Sequence, residues 1–164
     1  MDDENLYASP EADVDVDVND ELAGRGARLL GALLDGFFMT LIILPTMLFT
    51  GYIERASSGD VGIAELAFWA IFGVIVWVVL NAYLLKNTGQ TIGKRIVGTR
   101  IVSNADGKIL TFTQVLFLRF LPFTLGGQVP VVGPLAGIIN ILFIFSSTRR
   151  CLHDHIAGTK VVKA

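Results

Sequence analysis

Twenty consecutive residues, Leu66 to Leu85, carry no formal charge. Wound as a helix at about 1.5 Å of rise per residue, such a run covers about 30 Å, the thickness of a bilayer's hydrocarbon core. Trp69 near its start and Tyr83 near its end suit the two membrane interfaces. A hydrophobic content of 52%, a charged fraction of 17% and a mean hydropathy of +0.61 place the whole chain with integral membrane proteins.

A second long run, Leu29 to Tyr52, is interrupted by Asp35, Pro45 and scattered glycines. Its length suffices for a crossing, and Pro45 is expected to kink its outer half. Between the two runs, 53–64 is short and polar and reads as a loop. The third apolar region, 112–148, contains Pro122, Gly126, Gly127, Pro130, Gly133 and Pro134. These breakers favour two short arms over one helix; a rival reading lays the first arm along the interface. The expected fold is an all-α membrane protein, a small bundle of about four transmembrane or re-entrant helices near 29–52, 66–86, 112–126 and 133–148. A short cytoplasmic β-prone hairpin or extended segment is expected in 87–111, where IVGTRIV precedes the turn signal Asn104-Ala105-Asp106-Gly107, and Thr159 to Val162 can join it.

Charge is divided unevenly. Nine of the fifteen acids fall within the first 21 residues, leaving 13 basic against 6 acidic side chains in the remainder, a net of +7. Residues 1–22 therefore read as a solvated, disordered acidic tail ahead of a membrane domain at 23–164. That tail also lacks the positive start of a secretory signal. Five Lys and Arg lie from Lys86 to Lys108 and four from Arg149 onward, against Arg55 alone in the first loop. Two basic segments want the cytoplasmic side, so an even number of crossings should separate them. The expectation is a multi-pass protein of the cell membrane with both termini cytoplasmic.

An isolated carboxylate in hydrocarbon costs several kcal/mol, so Asp35 must be paired, protonated or turned to a polar interior. Arg28 stands two helical turns away, about 10 Å along the axis, too far for a direct bridge. Arg119, seven residues into the third region, is the expected partner by matched depth. The pair reads either as a lock between helices or as a cation or proton site whose pKa Arg119 tunes. Asn81, Thr40, Gln114 and Asn140 either hydrogen-bond between helices or line a polar path.

Near the second run, GQTIGKR superficially resembles a phosphate loop. It has three residues between its glycines instead of four, and no Ser or Thr follows the lysine, which argues against nucleotide binding. Lys94 and Arg95 are expected to contact lipid phosphates. His153, Asp154 and His155 form the one cluster with catalytic residue types. They read as a helix-terminal knot, with Asp154 capping the short turn or pairing with Arg149 or Arg95, and with His153 as the cytoplasmic end of any proton path. The single Cys151 permits no intramolecular disulfide. The sequence offers no metal set, no cofactor signature and no nucleophile, base and oxyanion set, so neither an enzyme nor a nucleic-acid partner is expected.

Three motifs occur in order: ARLLGALLDGF with Arg28 and Asp35, GQTIGKRIVGTRIV, and LHDHIAGTKVV. In combination they resemble the RDD family of small membrane proteins, named for an arginine and two aspartates, over about Gly24 to Ala164. The resemblance implies Asp35 as the first aspartate and Asp154 as the second. It also implies transport of ions or small ligands, including cation/proton antiport. Two functions follow as expectations. One is a small transporter, expected as a homo-oligomer because four short helices leave little room for a sealed path, exchanging a cation and a proton through Asp35; the other is a non-transporting module that anchors or assembles with a protein or lipid.

Overall fold

The computed structural model describes residues 21–127 and 132–164; the acidic segment 1–20 and the breaker Pro130 lie outside that range. Helix α1 (Arg25–Phe49) runs through Pro45 without a break in the assigned helix. At its end Gly51, with φ of 67°, turns the chain into α2 (Tyr52–Ser58), which stops at Gly59 with φ of 76°. Glycine enters this left-handed region at little cost, so the expected loop folds as a short helix between two glycine turns. Arg55 of that helix pairs with Glu65 at the start of α3 (Ile63–Thr88).

Among the described residues, α1 and α3 are long and apolar enough to cross a membrane. Leu33, Phe37 and Leu41 on α1, and Phe68, Ile71, Ile75 and Val79 on α3, are exposed on the isolated chain. In water each such side chain forgoes about 1.5–3 kcal/mol of burial, whereas lipid solvates it.

Helix α3 ends at Gly89, whose φ is 67°. A Cβ there would meet the Ile101 carbonyl at 2.8 Å, and the Gly89 carbonyl accepts the Ile101 N–H at 2.8 Å. After α4 (Ile92–Ile96) this contact fixes β1 (Thr99–Ser103) beside the end of α3. A continuous helix then comprises α5 (Phe112–Gln114), a π-helical stretch (Val115–Phe120) and α6 (Leu121–Gly126). Gln114 starts it, exchanging hydrogen bonds with Thr111 in a capping box rather than lining a polar path. Next come α7 (Val132–Leu142), a 3-10 turn (Phe143–Phe145), α8 (Leu152–Ile156) and β2 (Thr159–Lys163).

The sheet differs from the expected hairpin. Ser103 does turn back, its N–H donating to the Lys108 carbonyl, but the partner of β1 is β2, antiparallel, with Thr99 opposite Lys163 and Ser103 opposite Thr159. The carboxyl-terminal strand buries both Val161 and Val162, whereas Ile109 of KILT stays exposed. On the other edge of β2, Glu21 accepts from the Lys163 N–H and Ala23 donates to the Val161 carbonyl, each at 3.0 Å. The last residues of the expected tail are therefore sheet-bound.

The core joins sheet to helices. Ala23, Trp77, Leu85, Ile101, Val115 and Val161 are buried together, and the Trp77 ring stacks on Phe120 with centroids 3.9 Å apart. Asn81 on α3 closes the arrangement: its Oδ1 accepts the Ile92 N–H at 3.0 Å, pinning α4 beneath α3.

Candidate functional site

Asp154 is fully buried, and each of its carboxylate oxygens meets one guanidinium and one hydrogen-bond donor. Oδ1 takes Arg119 at 2.6 Å and the Thr159 hydroxyl at 3.0 Å. Oδ2 takes Arg28 and the Cys151 N–H, the latter at 3.0 Å. Arg28 also donates to the Arg149 carbonyl, which a left-handed Arg149, φ 51°, presents to it. Arg150 completes the tie, donating to the carbonyls of Thr159 and Asp154. Burial acts most strongly on the Asp154 carboxyl and would raise its pKa; the Arg119 and Arg28 guanidiniums, with the Cys151 N–H, outweigh it and hold the group well below the usual carboxylate range.

The expected pairing of Asp35 with Arg119 does not form. Arg119 lies on the π-helical stretch, buried on the same face as Val115, and meets α8 and β2. Asp35 is held by the GQTIGKR segment instead. Its Oδ2 accepts the Thr91 hydroxyl at 2.6 Å, its Oδ1 accepts the Gly93 N–H at 2.7 Å, and the Lys94 ammonium stands 3.6 Å from Oδ2. A Cβ on Gly93 would lie 2.2 Å from the Gly31 carbonyl, so glycine lets α4 reach the Asp35 backbone at all.

This also corrects the lipid-contact expectation for Lys94, which is buried and turned inward, whereas Arg95 is exposed. Burial pushes the Lys94 ammonium below the ordinary lysine range, with Asp35 opposing. The sequence analysis missed Thr91 and Gly93 as ligands of Asp35. The available signal was a donor-rich loop, TIGK, immediately after the second run.

A cavity of about 310 Å³ opens between these groups. Asp35, Thr91 and Lys94 form one wall; Trp77, Arg119, Phe120, Phe123 and Thr124 form another; Asn140 and His153 close it. His153 Nδ1 lies 2.8 Å from Asn140 Oδ1, which also accepts the His153 backbone N–H at 3.2 Å, so the ring nitrogen is the donor. Burial first, then Arg119, lowers the His153 pKa to about 3, so the ring is neutral at pH 7 and its 3.6 Å approach to Asp154 is not an ion pair. Thr40 is exposed on α1, away from this wall, and Asn81 and Gln114 serve as helix caps. His155 is likewise exposed, against Phe143.

Cys151, His153 and Asp154 present potential metal-ligand atoms within 4.8 Å of one another. Two guanidiniums already occupy the Asp154 oxygens, and burial raises the Cys151 thiol pKa further from ionisation. That chemistry suits a protein lock better than a metal.

A model of the RDD family matches residues 22–158, which contain every site residue described above except Thr159. The chain belongs to the RDD family. It is also similar to an uncharacterized membrane protein of Bacillus subtilis strain 168, YteJ, with 32% identity over 104 residues. That match covers 62% of this chain and 57% of YteJ, so the chain spans little more than half the length of that relative. No solved structure matches. Family and relative together make this a membrane protein. Within it the buried charged residues form two groups: Arg28, Arg119 and Asp154 in a knot, of which Arg119 also borders the cavity, and Asp35 with Lys94 on the cavity's opposite wall.

Proposed function

We propose that this RDD protein is a multi-pass transporter of the cell membrane, with both termini cytoplasmic and about four crossing or re-entrant helices, that exchanges a small cation for a proton at Asp35. One observation carries the reading: Asp35 and Lys94 form a loose pair, 3.6 Å apart, on a cavity wall. A cation arriving at the carboxylate takes away the charge that holds the Lys94 proton. Lys94, already destabilised as an ammonium by burial, then releases that proton, and loss of the cation restores both. His153, expected at the end of a proton path, is a neutral hydrogen-bond donor and serves better as a fixed wall.

The test is proton movement in liposomes holding the purified protein, driven by sodium or potassium gradients and read with an internal pH dye. Wild type should move protons, while Asp35→Asn and Lys94→Gln should each lose the gradient-driven part yet remain folded, with a cooperative melting transition. Absence of gradient-driven movement in wild type overturns exchange. It favours the second reading, a non-transporting module, which gains support from the amount of charge the Asp154 knot commits to holding α1, α6 and the sheet together.

A further inference from the structure

A second cavity, of about 270 Å³, lies deeper in the bundle between α1, α3 and α6. Its walls are Met39, Ile43 and Met47 from α1, Trp69 and Gly73 from α3, with Phe120 and Thr124 closing it. Phe120 and Thr124 also line the Asp35 cavity, so the same two side chains border a charged chamber and an apolar one. Gly73 leaves the apolar chamber its width, since a Cβ there would only reach Ile43 at 4.0 Å. Together the two volumes fall well within the roughly 300–1,000 Å³ of small-molecule sites.

The charged chamber is not balanced. Among the described residues, the groups acting on Lys94 are Asp35, Asp154, Arg119 and Arg28, and His153 at the far wall is neutral. With Lys94 protonated there are three cations against two carboxylates. One further negative charge would neutralise the buried set, and the Lys94 ammonium and Arg119 guanidinium both border the space where it would sit.

We propose that the two chambers form one binding site for a singly charged anionic amphiphile, its head against Lys94 and Arg119 and its single aliphatic chain among Met39, Ile43, Trp69 and Gly73. The proposal rests on the reading that the Asp35 cavity handles ligands, but not on exchange. A carboxylate or a phosphodiester supplies the single negative charge equally well, and one alkyl chain suits a chamber lined by two methionines, an isoleucine and a tryptophan. The neutral or cationic equivalent leaves the excess positive charge in place or adds to it.

The chain's two tryptophans make the site readable, because Trp77 lines the charged chamber and Trp69 the apolar one. The protein, in nanodiscs of zwitterionic lipid with no gradient, is titrated with decanoate carrying bromine either beside the carboxylate or on the last carbon. With Trp69→Phe, the head-proximal bromine should quench Trp77 more strongly; with Trp77→Phe, the terminal bromine should quench Trp69 more strongly, both saturably. The brominated methyl ester and alkyltrimethylammonium should bind at least about tenfold more weakly, as should decanoate to Lys94→Gln and to Gly73→Leu, which fills the tail chamber without touching a charge. Tighter binding of decyl methyl phosphate, a singly charged phosphodiester, than of decanoate identifies a phospholipid-derived head, and the reverse a free carboxylic acid; either supports the site. Equal, unsaturable quenching by all three headgroups on wild type overturns the proposal, as does saturable binding that both Lys94→Gln and Gly73→Leu leave unchanged. Binding without cation-driven flux would keep this site and remove exchange, and flux without binding would do the opposite.

Discussion

At Asp154, four donors from four separate parts of the chain meet one carboxylate with no exposure to solvent. Removing one member of such a set leaves uncompensated buried charge, at about 3–5 kcal/mol. Asp154→Asn should therefore lower unfolding stability by that amount in detergent titration. Asp35→Asn should lose less, because its site borders a cavity and keeps two neutral donors. His153 adds a pH dependence of definite sign. Its pKa falls from 6.5 to about 3 on folding, so between those values the unfolded chain binds a proton that the folded one excludes. Stability should fall as pH drops from 6.5 toward 3, by on the order of 4 kcal/mol if fully expressed. Melting temperatures measured across that range should show the slope in wild type and a flatter profile in His153→Asn. The Asp154 carboxyl is depressed too, and its contribution is present above the ordinary carboxylate pKa and lost only as pH falls through the lower value. The two effects therefore separate at the upper end of the range.

At the scale of elements, α4 shows what was legible and what was not. Asp35 stood out because a carboxylate in an apolar run needs a partner, and that much follows from a single helix. Which partner it takes depends on how a five-residue helix folds back beneath α3, which Asn81 and two left-handed glycines decide and no periodicity reveals. Matching Asp35 to Arg119 by depth assumed two straight neighbouring helices; the π-helical stretch and the return of β2 give Arg119 to Asp154 instead. The sheet was half visible for the same reason. Both β-prone pieces could be read locally, but their pairing is a contact between residues about sixty positions apart. The close approach of α4 to α1 is testable on its own. Gly93→Ala drives a methyl to 2.2 Å from the Gly31 carbonyl and should disrupt the Asp35 cradle, whereas Gly36→Ala on α1 meets nothing within 4 Å. Thermal unfolding should show a loss for the first and no loss, or a gain of up to about 1 kcal/mol, for the second.

For the whole molecule, the distribution of basic residues predicts an orientation that would suit the packing. The sheet, α4, α8 and the Asp154 knot cluster at one end, joined to both termini through Glu21–Ala23 and β2. Arg55 and Glu65 pair where α2 meets α3, on the far side of the first long helix. If the Lys- and Arg-rich end faces the cytoplasm, an anion drawn from the inner leaflet finds Lys94 on its own side, and its tail points along α1 and α3 into the bilayer. Single-cysteine reporters test this. With buried Cys151 replaced by Ser, Ser57→Cys in the α2 turn and Asp106→Cys in the loop after β1 both place a thiol on exposed backbone. A membrane-impermeant maleimide applied to intact cells should label position 57 and should reach position 106 only after the membrane is opened. Labelling of both from outside would put the two loops on one side and require an odd placement of α3. Labelling of 106 alone would invert the molecule and turn the charged chamber toward the exterior.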